Sequence, residues 1–156
     1  VRAKLVVMRN LGIFALVLLA LYGAFKYEKS GMRQFNKKFN IDSLPGNAEL
    51  LESYFSGFGR DHHYLWKIQS NEVSEFKLLK LLEVVKLGPT NSSGCLTISE
   101  DRAPNWWPSR DFEDVLWGNN EPNYNLYRKE LQHGAKVCVL NSLTNNMLYI
   151  QWFDIQ

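Results

Sequence analysis

The chain has 156 residues and a mass of 18.1 kDa, which fits one domain with an appendage and excludes two large catalytic lobes. Its composition, 46% hydrophobic and 22% charged, excludes a disordered or fibrous protein. The formal net charge of +2 conceals two unlike parts. Residues 1–40 carry eight Lys or Arg and one Glu, whereas residues 41–156 carry ten basic and fifteen acidic side chains. A basic leader therefore precedes an acidic domain.

The leader contains an uncharged apolar run over residues 11–25. Extended to residues 5–25 and coiled as a helix, it would reach about 31 Å, enough for the hydrocarbon core of a bilayer. The pattern predicts a single-pass transmembrane signal anchor over residues 1–27. Side chains expected to face the lipid are Leu11, Phe14, Leu18, Leu21 and Phe25.

Two other interpretations of the leader stay open. A cleaved signal peptide has the same order of basic start and apolar run, although the small residues needed before a cleavage site are poorly placed. A buried helix of a soluble domain is disfavoured because the run is apolar on every helical face.

Two signals in the sequence give opposite membrane orientations. The order of a secretory signal favours an extracytoplasmic domain, periplasmic in a Gram-negative cell. Five Lys or Arg within residues 26–38 favour the opposite orientation by the positive-inside rule. We expect the extracytoplasmic arrangement.

After the anchor, residues 28–45 are expected to form a basic juxtamembrane connector that ends at the Pro45-Gly46 turn. This segment would continue the membrane helix beyond the bilayer, rest its charges on anionic lipid head groups, or form a solvated linker, which we favour. Residues 46–156 then form the soluble domain.

Two helices are predicted at the start of this domain. One would span residues 72–87, with Asn71 as its cap and Gly88-Pro89 as its stop signal. Its core face is expected to include Phe76, Leu79 and Leu82. The other would follow a cap at Asn47, because apolar side chains recur there at helical spacing: Leu50, Leu51, Tyr54, Phe55 and Phe58.

Strand signals are clearest near the two ends of the domain. Residues 62–69 alternate so that Tyr64, Trp66 and Ile68 share one face. Residues 95–99 are a short strand candidate, and residues 100–125 are expected to be an ordered loop with one helical turn at 112–117. A terminal hairpin is predicted from two β-rich runs, residues 136–141 and 147–155.

Because strands and helices do not alternate regularly, we expect an α+β domain with a small antiparallel sheet and helices packed on one face. Trp106-Trp107-Pro108 and the hairpin segment Leu148–Phe153 carry a resemblance. Over residues 60–156 the chain resembles small bacterial membrane-anchored envelope proteins that share a strand, a helix, a Trp-Trp-Pro loop and a terminal aromatic hairpin. The resemblance implies no particular activity.

The two cysteines, Cys95 and Cys138, fall on predicted strands and show neither a CxxC motif nor zinc-like spacing. In an exported domain they are candidates for a disulfide, and two buried free thiols are the alternative. Adjacent His62 and His63 would point to opposite faces of a strand, so we expect no metal site.

Motifs for chemistry are few. Phosphate-binding loops and nucleophile signatures are absent from the sequence, so we expect no cofactor and no catalytic residue. The acidic cluster Asp111, Glu113 and Asp114 could in principle hydrolyse a glycoside, but a solvated helix start is the simpler interpretation. The net charge of residues 41–156 disfavours nucleic acid as a partner.

An aromatic concentration remains in residues 105–127. Such side chains either pin a loop to the core or present a surface to a partner, and two adjacent tryptophans cannot easily both point inward. The candidate partner-binding residues are Trp106, Trp107, Trp117 and Tyr124.

The anchor, the acidic domain and the aromatic loop together predict a membrane-anchored, non-enzymatic interaction domain. Its expected partners are the lipid bilayer and a protein of a membrane or envelope complex, in which it would be an accessory subunit. The alternative is a membrane-tethered immunity or inhibitor-type binding protein, whose acidic surface would meet a basic partner. A cell-wall sugar hydrolase is a third, less favoured function.

Overall fold

The computed structural model describes residues 13–23, 30–58, 61–88, 94–100, 102–116 and 123–154. In chain order the elements are α1 (13–23), α2 (Gly31–Phe39), β1 (Glu49–Phe58), β2 (Asp61–Gln69), α3 (Glu72–Leu82), β3 (Val85–Lys86), α4 (Ser109–Leu116), β4 (Tyr124–Glu130), β5 (Lys136–Ser142) and β6 (Met147–Asp154). A 3-10 turn at Gln132–Gly134 joins β4 to β5.

The six strands form one sheet in the order β1-β2-β6-β5-β4-β3, and every neighbouring pair is antiparallel. The hairpin β5–β6 lies at its centre, with Val139 opposite Ile150. On its other side, β6 pairs with β2, where Trp66 also lies opposite Ile150. This arrangement confirms the predicted α+β class, the antiparallel sheet, the strand near residues 62–69 and the terminal hairpin.

Both faces of the sheet are covered, so the prediction of helices on one face is wrong. Successive side chains of a strand point to opposite faces, and those of β6 are buried on both. The first face packs against α2 and α3 through Trp66, Ile68, Val137, Val139, Leu148, Ile150 and Trp152. The second face packs against α4 and residues 95–98 and 103–107 through Leu65, Leu126, Cys138, Leu140, Tyr149 and Phe153.

Helix α2 belongs to the folded domain, which corrects the connector expected over residues 28–45. Ser30 caps the helix by accepting a hydrogen bond from the Arg33 backbone N–H at 3.3 Å. The Phe35 side chain is fully buried, with its ring centroid 5.2 Å from that of Trp66. The Trp66 indole N–H donates to the Gly31 carbonyl at 3.1 Å. The domain therefore begins before residue 46.

The helix expected after Asn47 is also wrong, because Glu49–Phe58 forms β1. The strand pairs with β2 from Glu49 opposite Gln69 to Phe58 opposite Asp61, with a bulge between Leu50 and Glu52. Residues 51–57 are all exposed. Backbone hydrogen bonding to β2, rather than burial of one face, therefore decides the conformation of this segment.

Helix α3 starts where the sequence predicted and ends earlier. The Asn71 side chain accepts a hydrogen bond from the Ser74 N–H at 2.9 Å. The helix ends at Leu82 because Glu83 adopts a left-handed conformation, with φ of 55°. Phe76, predicted to face the core, is 69% exposed, and the buried apolar residues are Leu78, Leu79 and Leu82.

Other local predictions were incomplete. Residues 96–99 form no strand, and the single helical turn expected at 112–117 is the eight-residue helix α4 at Ser109–Leu116. Strand β4, which the sequence interpretation placed partly in a loop, pairs along its length with β5.

Part of the predicted anchor lies within α1. Phe14, Leu18 and Leu21 are exposed on this helix, whereas Leu11 and Phe25 lie outside the described residues. Within the described ranges, none of the helices combines the length and apolar character that a bilayer crossing needs.

The burial of Phe35 predicts that α2 contributes to the stability of the domain. Phe35→Ala should lower the free energy of unfolding by about 3–5 kcal/mol, because it leaves a cavity beside Trp66. Phe76→Ala on the exposed side of α3 is the matched control and should change it by less than about 0.5 kcal/mol. Urea unfolding followed by tryptophan fluorescence measures both, and equal effects would contradict the assignment of α2 to the core.

Candidate functional site

Most of the described aromatic segment fastens a loop to the second face of the sheet. Trp107 is buried, and its ring lies 5.5 Å from that of Phe112 in α4. It also makes an edge contact with Tyr149 in β6 at 6.1 Å. This predicted partner-binding tryptophan is thus a core residue.

The other predicted partner-binding residues are less deeply placed. Trp106 is half-buried and packs edge-on against Trp107, with ring centroids 6.0 Å apart. Tyr124 is half-buried at the start of β4, and Trp117 lies outside the described residues. The structure therefore brings Trp106 and Trp107 together, but as part of the hydrophobic core on the second face of the sheet.

Tyr124 and Asp111 connect β4 to α4. The Tyr124 hydroxyl donates to Asp111 Oδ2 at 2.9 Å. Burial, followed by the hydrogen bond to the Asp111 carboxylate, raises the pKa of Tyr124 to about 12. This carboxylate, a candidate for sugar hydrolysis by sequence, is engaged in holding two elements together.

The disulfide fixes a segment whose β pairing is limited to an isolated bridge at Cys95. Cys95 and Cys138 are bonded, with Cα atoms 6.0 Å apart. Opposite Cys138 on β6, the Gln151 side-chain amide donates to the Leu96 carbonyl at 3.1 Å. Together these links hold residues 95–98 against the second face, where Leu96 and Ile98 are partly buried.

The first candidate surface is the outer edge of β1, which the sequence interpretation missed. This strand ends the sheet and pairs with β2 alone among the strands of the described chain. Leu51, Tyr54 and Phe55 are exposed on it. Phe55 stacks beside Tyr64 of β2, with ring centroids 4.7 Å apart. Among the described residues, the outer edge of β1 is thus unpaired and carries exposed apolar side chains beside Glu49 and Glu52.

The second candidate surface is a cleft of about 790 Å³ between α2 and the 3-10 turn, hereafter the α2 cleft. Trp152 and Tyr64 form part of its wall, together with Leu131 and Ala135. Its polar lining comes from Arg33, Gln34, Lys37, Lys38, Gln132, His133 and Asp154. Three cationic side chains therefore face one carboxylate.

Lys38 is held over the aromatic wall of the α2 cleft. Its Nζ lies 3.4 Å from the centroid of a Trp152 ring and 4.7 Å from that of Tyr64. Burial lowers the pKa of Lys38, and the charge of Asp154 partly opposes this shift. The ammonium group is thus fixed by cation–π contacts and partly removed from water.

Both surfaces depend on elements that the sequence interpretation assigned otherwise. Phe35 and Phe39, four residues apart after the possible cap Ser30, were an available signal for α2. For β1, the available signal was residue type, because aromatic residues such as Tyr54 and Phe55 are common in strands.

Within the described part of the chain, no group of three or more His, Cys, Asp or Glu side chains is arranged to hold a metal ion. Comparison with protein-family models, curated proteins and solved structures finds no match for this chain. The two surfaces must therefore be interpreted from their own chemistry.

Loss of the disulfide should destabilise the domain. In the loop-entropy model, closing a loop between positions 43 residues apart contributes about 4 kcal/mol. The Cys95→Ser/Cys138→Ser variant should therefore unfold at a lower urea concentration than the oxidised protein. Reduction of the wild-type protein should produce the same shift. An unchanged urea midpoint in both cases would contradict a stabilising role.

The raised pKa of Tyr124 predicts a stability change at alkaline pH. Its folded-state pKa of about 12 exceeds the ordinary value near 10. The stabilisation is therefore complete below about pH 10 and is lost as pH rises toward 12, because the unfolded chain releases this proton first. The free energy of unfolding should fall less steeply over this interval for Tyr124→Phe than for the wild type. Parallel curves from urea unfolding at several pH values would contradict this assignment.

Proposed function

We propose that this protein is a single-pass, membrane-anchored, non-enzymatic interaction domain that acts as an accessory subunit of a membrane or envelope complex. The observation that carries the proposal is the open edge of β1. We further propose that a partner protein adds an extended segment to this edge.

The two edges of the sheet differ in a way that favours strand addition at β1. At one edge, β3 has two residues and includes Lys86, and short charged edges of this kind resist pairing. At the other, β1 has ten residues, and its two charged side chains, Glu49 and Glu52, precede an uncharged run over residues 53–58. Backbone groups along β1 that do not face β2 can pair with an added strand, while Leu51, Tyr54 and Phe55 supply apolar contacts.

The membrane part of the proposal is supported by the character of α1. Apolar side chains on all sides of this helix are exposed, including Phe14, Leu16, Val17 and Leu19. A helix that is apolar all round is stable in lipid or in the core of a larger assembly. The Cys95–Cys138 disulfide supports an extracytoplasmic domain, because disulfides persist in oxidising compartments.

Two observations weigh against the other candidate functions. The Asp111 carboxylate, the candidate acid for sugar hydrolysis, accepts a hydrogen bond from Tyr124 and so has a structural role. An inhibitor with an acidic surface is less favoured once α2 belongs to the domain. Residues 30–156 hold 13 Lys or Arg and 15 Asp or Glu, a net charge of −2 rather than the −5 of residues 41–156.

The test joins membrane fractionation to purification of the full chain from native membranes in mild detergent. The chain should resist carbonate extraction and should copurify with a stoichiometric integral membrane protein. Leu51→Lys/Tyr54→Lys should abolish that copurification, since charges on an edge oppose strand addition.

The matched control places two lysines elsewhere, on the exposed side of α3, as Val73→Lys/Phe76→Lys. This variant should retain the partner. Extraction of the wild-type chain by carbonate, or equal loss of the partner in both double variants, would contradict the proposal. A single soluble partner would favour the inhibitor function instead.

A further inference from the structure

We propose that the α2 cleft binds an organic phosphate, with the phosphate group against Arg33, Lys37 and Lys38 and the organic part against Leu131 and Tyr64. This inference goes beyond the proposed function, because it requires neither the anchor nor a partner at β1. The shared chemistry of the ligand is a phosphate ester with an apolar body.

The dimensions and lining of the α2 cleft suit a small ligand. Its volume of about 790 Å³ falls within the range of roughly 300–1,000 Å³ that ligand pockets occupy. Leu131 and Tyr64, both partly exposed, provide apolar surface in the cleft, whereas Ala135 and Trp152 line it but are almost fully buried. The charged groups are concentrated on α2, so one side of a ligand would meet apolar walls and the other would meet cations.

The three cations of the α2 cleft lie within two turns of one helix. Arg33 and Lys37 are four residues apart, so they lie side by side on one face of the helix. Lys38 follows directly and is turned toward the sheet, over Trp152. A phosphate monoester carries a charge of roughly −1.5 to −2 at neutral pH and offers three acceptor oxygens. Three cations against the single carboxylate of Asp154 match this charge better than that of a monocarboxylate.

Lys38 makes the α2 cleft more than a basic surface patch. Its ammonium group is held by two rings, so binding an anion would cost little further ordering of the side chain. Partial removal from water also strengthens its attraction for an anion, because the local dielectric constant is lower than that of bulk water. A lysine on an open helix face would have neither property.

The ester could come from two sources. In the sequence, α2 follows the apolar leader, so the head group of an anionic phospholipid is one source. A soluble organic phosphate is the other. Both would place a phosphate against the same cations. They differ in the organic part, so a short-chain lipid and a soluble ester should bind with different affinities.

The test is calorimetric titration of the full chain in neutral detergent at pH 7 and low salt. The probes are phenyl phosphate, dihexanoyl phosphatidic acid, inorganic phosphate and benzoate. At least one of the two phosphate esters should bind saturably at one site per chain, and more tightly than inorganic phosphate or benzoate. Tighter binding of the short-chain lipid supports a head group, whereas tighter binding of phenyl phosphate supports a soluble ester.

Lys37→Gln and Lys77→Gln form a matched pair, since both remove one charge from an exposed helix position. Lys37→Gln should weaken binding of the ester about fivefold, as expected for loss of one basic contact, and Lys77→Gln should leave it unchanged. Equal effects of the two variants, no saturable binding of either ester, or equal affinity for inorganic phosphate would overturn the proposal. The outcome is independent of whether the chain resides in a membrane.

Discussion

The burial of β5 and β6 on both faces is the constraint on which the rest of the structure depends. Six successive residues in each strand are buried, from Val137 to Ser142 and from Leu148 to Phe153. Many antiparallel sheets leave one face in water, but this one cannot, because apolar side chains point both ways. Fully burying one large apolar side chain stabilises by about 1.5–3 kcal/mol, so each face needs a cover. Helices α2 and α3 cover one, while α4 and the disulfide-linked loop cover the other.

This constraint explains which elements the sequence could predict. Strands β2, β5 and β6 were predicted because alternation or continuous apolar character follows from their burial. The start of α3 was predicted from Asn71, whose capping role depends only on neighbouring residues. The end of α3 was not predicted, because Glu83 adopts a left-handed conformation that a glutamate in the sequence does not indicate. Strand β1 was missed because residues 51–57 are exposed, so no buried face imposes the alternation of polar and apolar residues that marks a strand.

The candidate surfaces were harder to predict than the core. The tryptophans at 106 and 107 were conspicuous in the sequence, yet residue type alone does not distinguish a buried ring from one that contacts a partner. The α2 cleft draws its lining from four separate parts of the chain: α2, β2, the 3-10 turn region and β6. No local spacing brings Lys38 to Trp152, so only the tertiary fold reveals their contact.

Because α2 is part of the folded domain, its basic residues have fixed positions on the surface of that domain. Basic residues in a flexible connector would attract anions without a fixed geometry, whereas those on α2 have a defined direction. Lys38 connects them to a row of rings that runs from Trp152 through Tyr64 to Phe55, with centroid distances of 5.5 and 4.7 Å. The row ends at the open edge of β1. A strand added there would bury Phe55 against the same tyrosine that forms part of the α2 cleft, so the two surfaces share one packed wall.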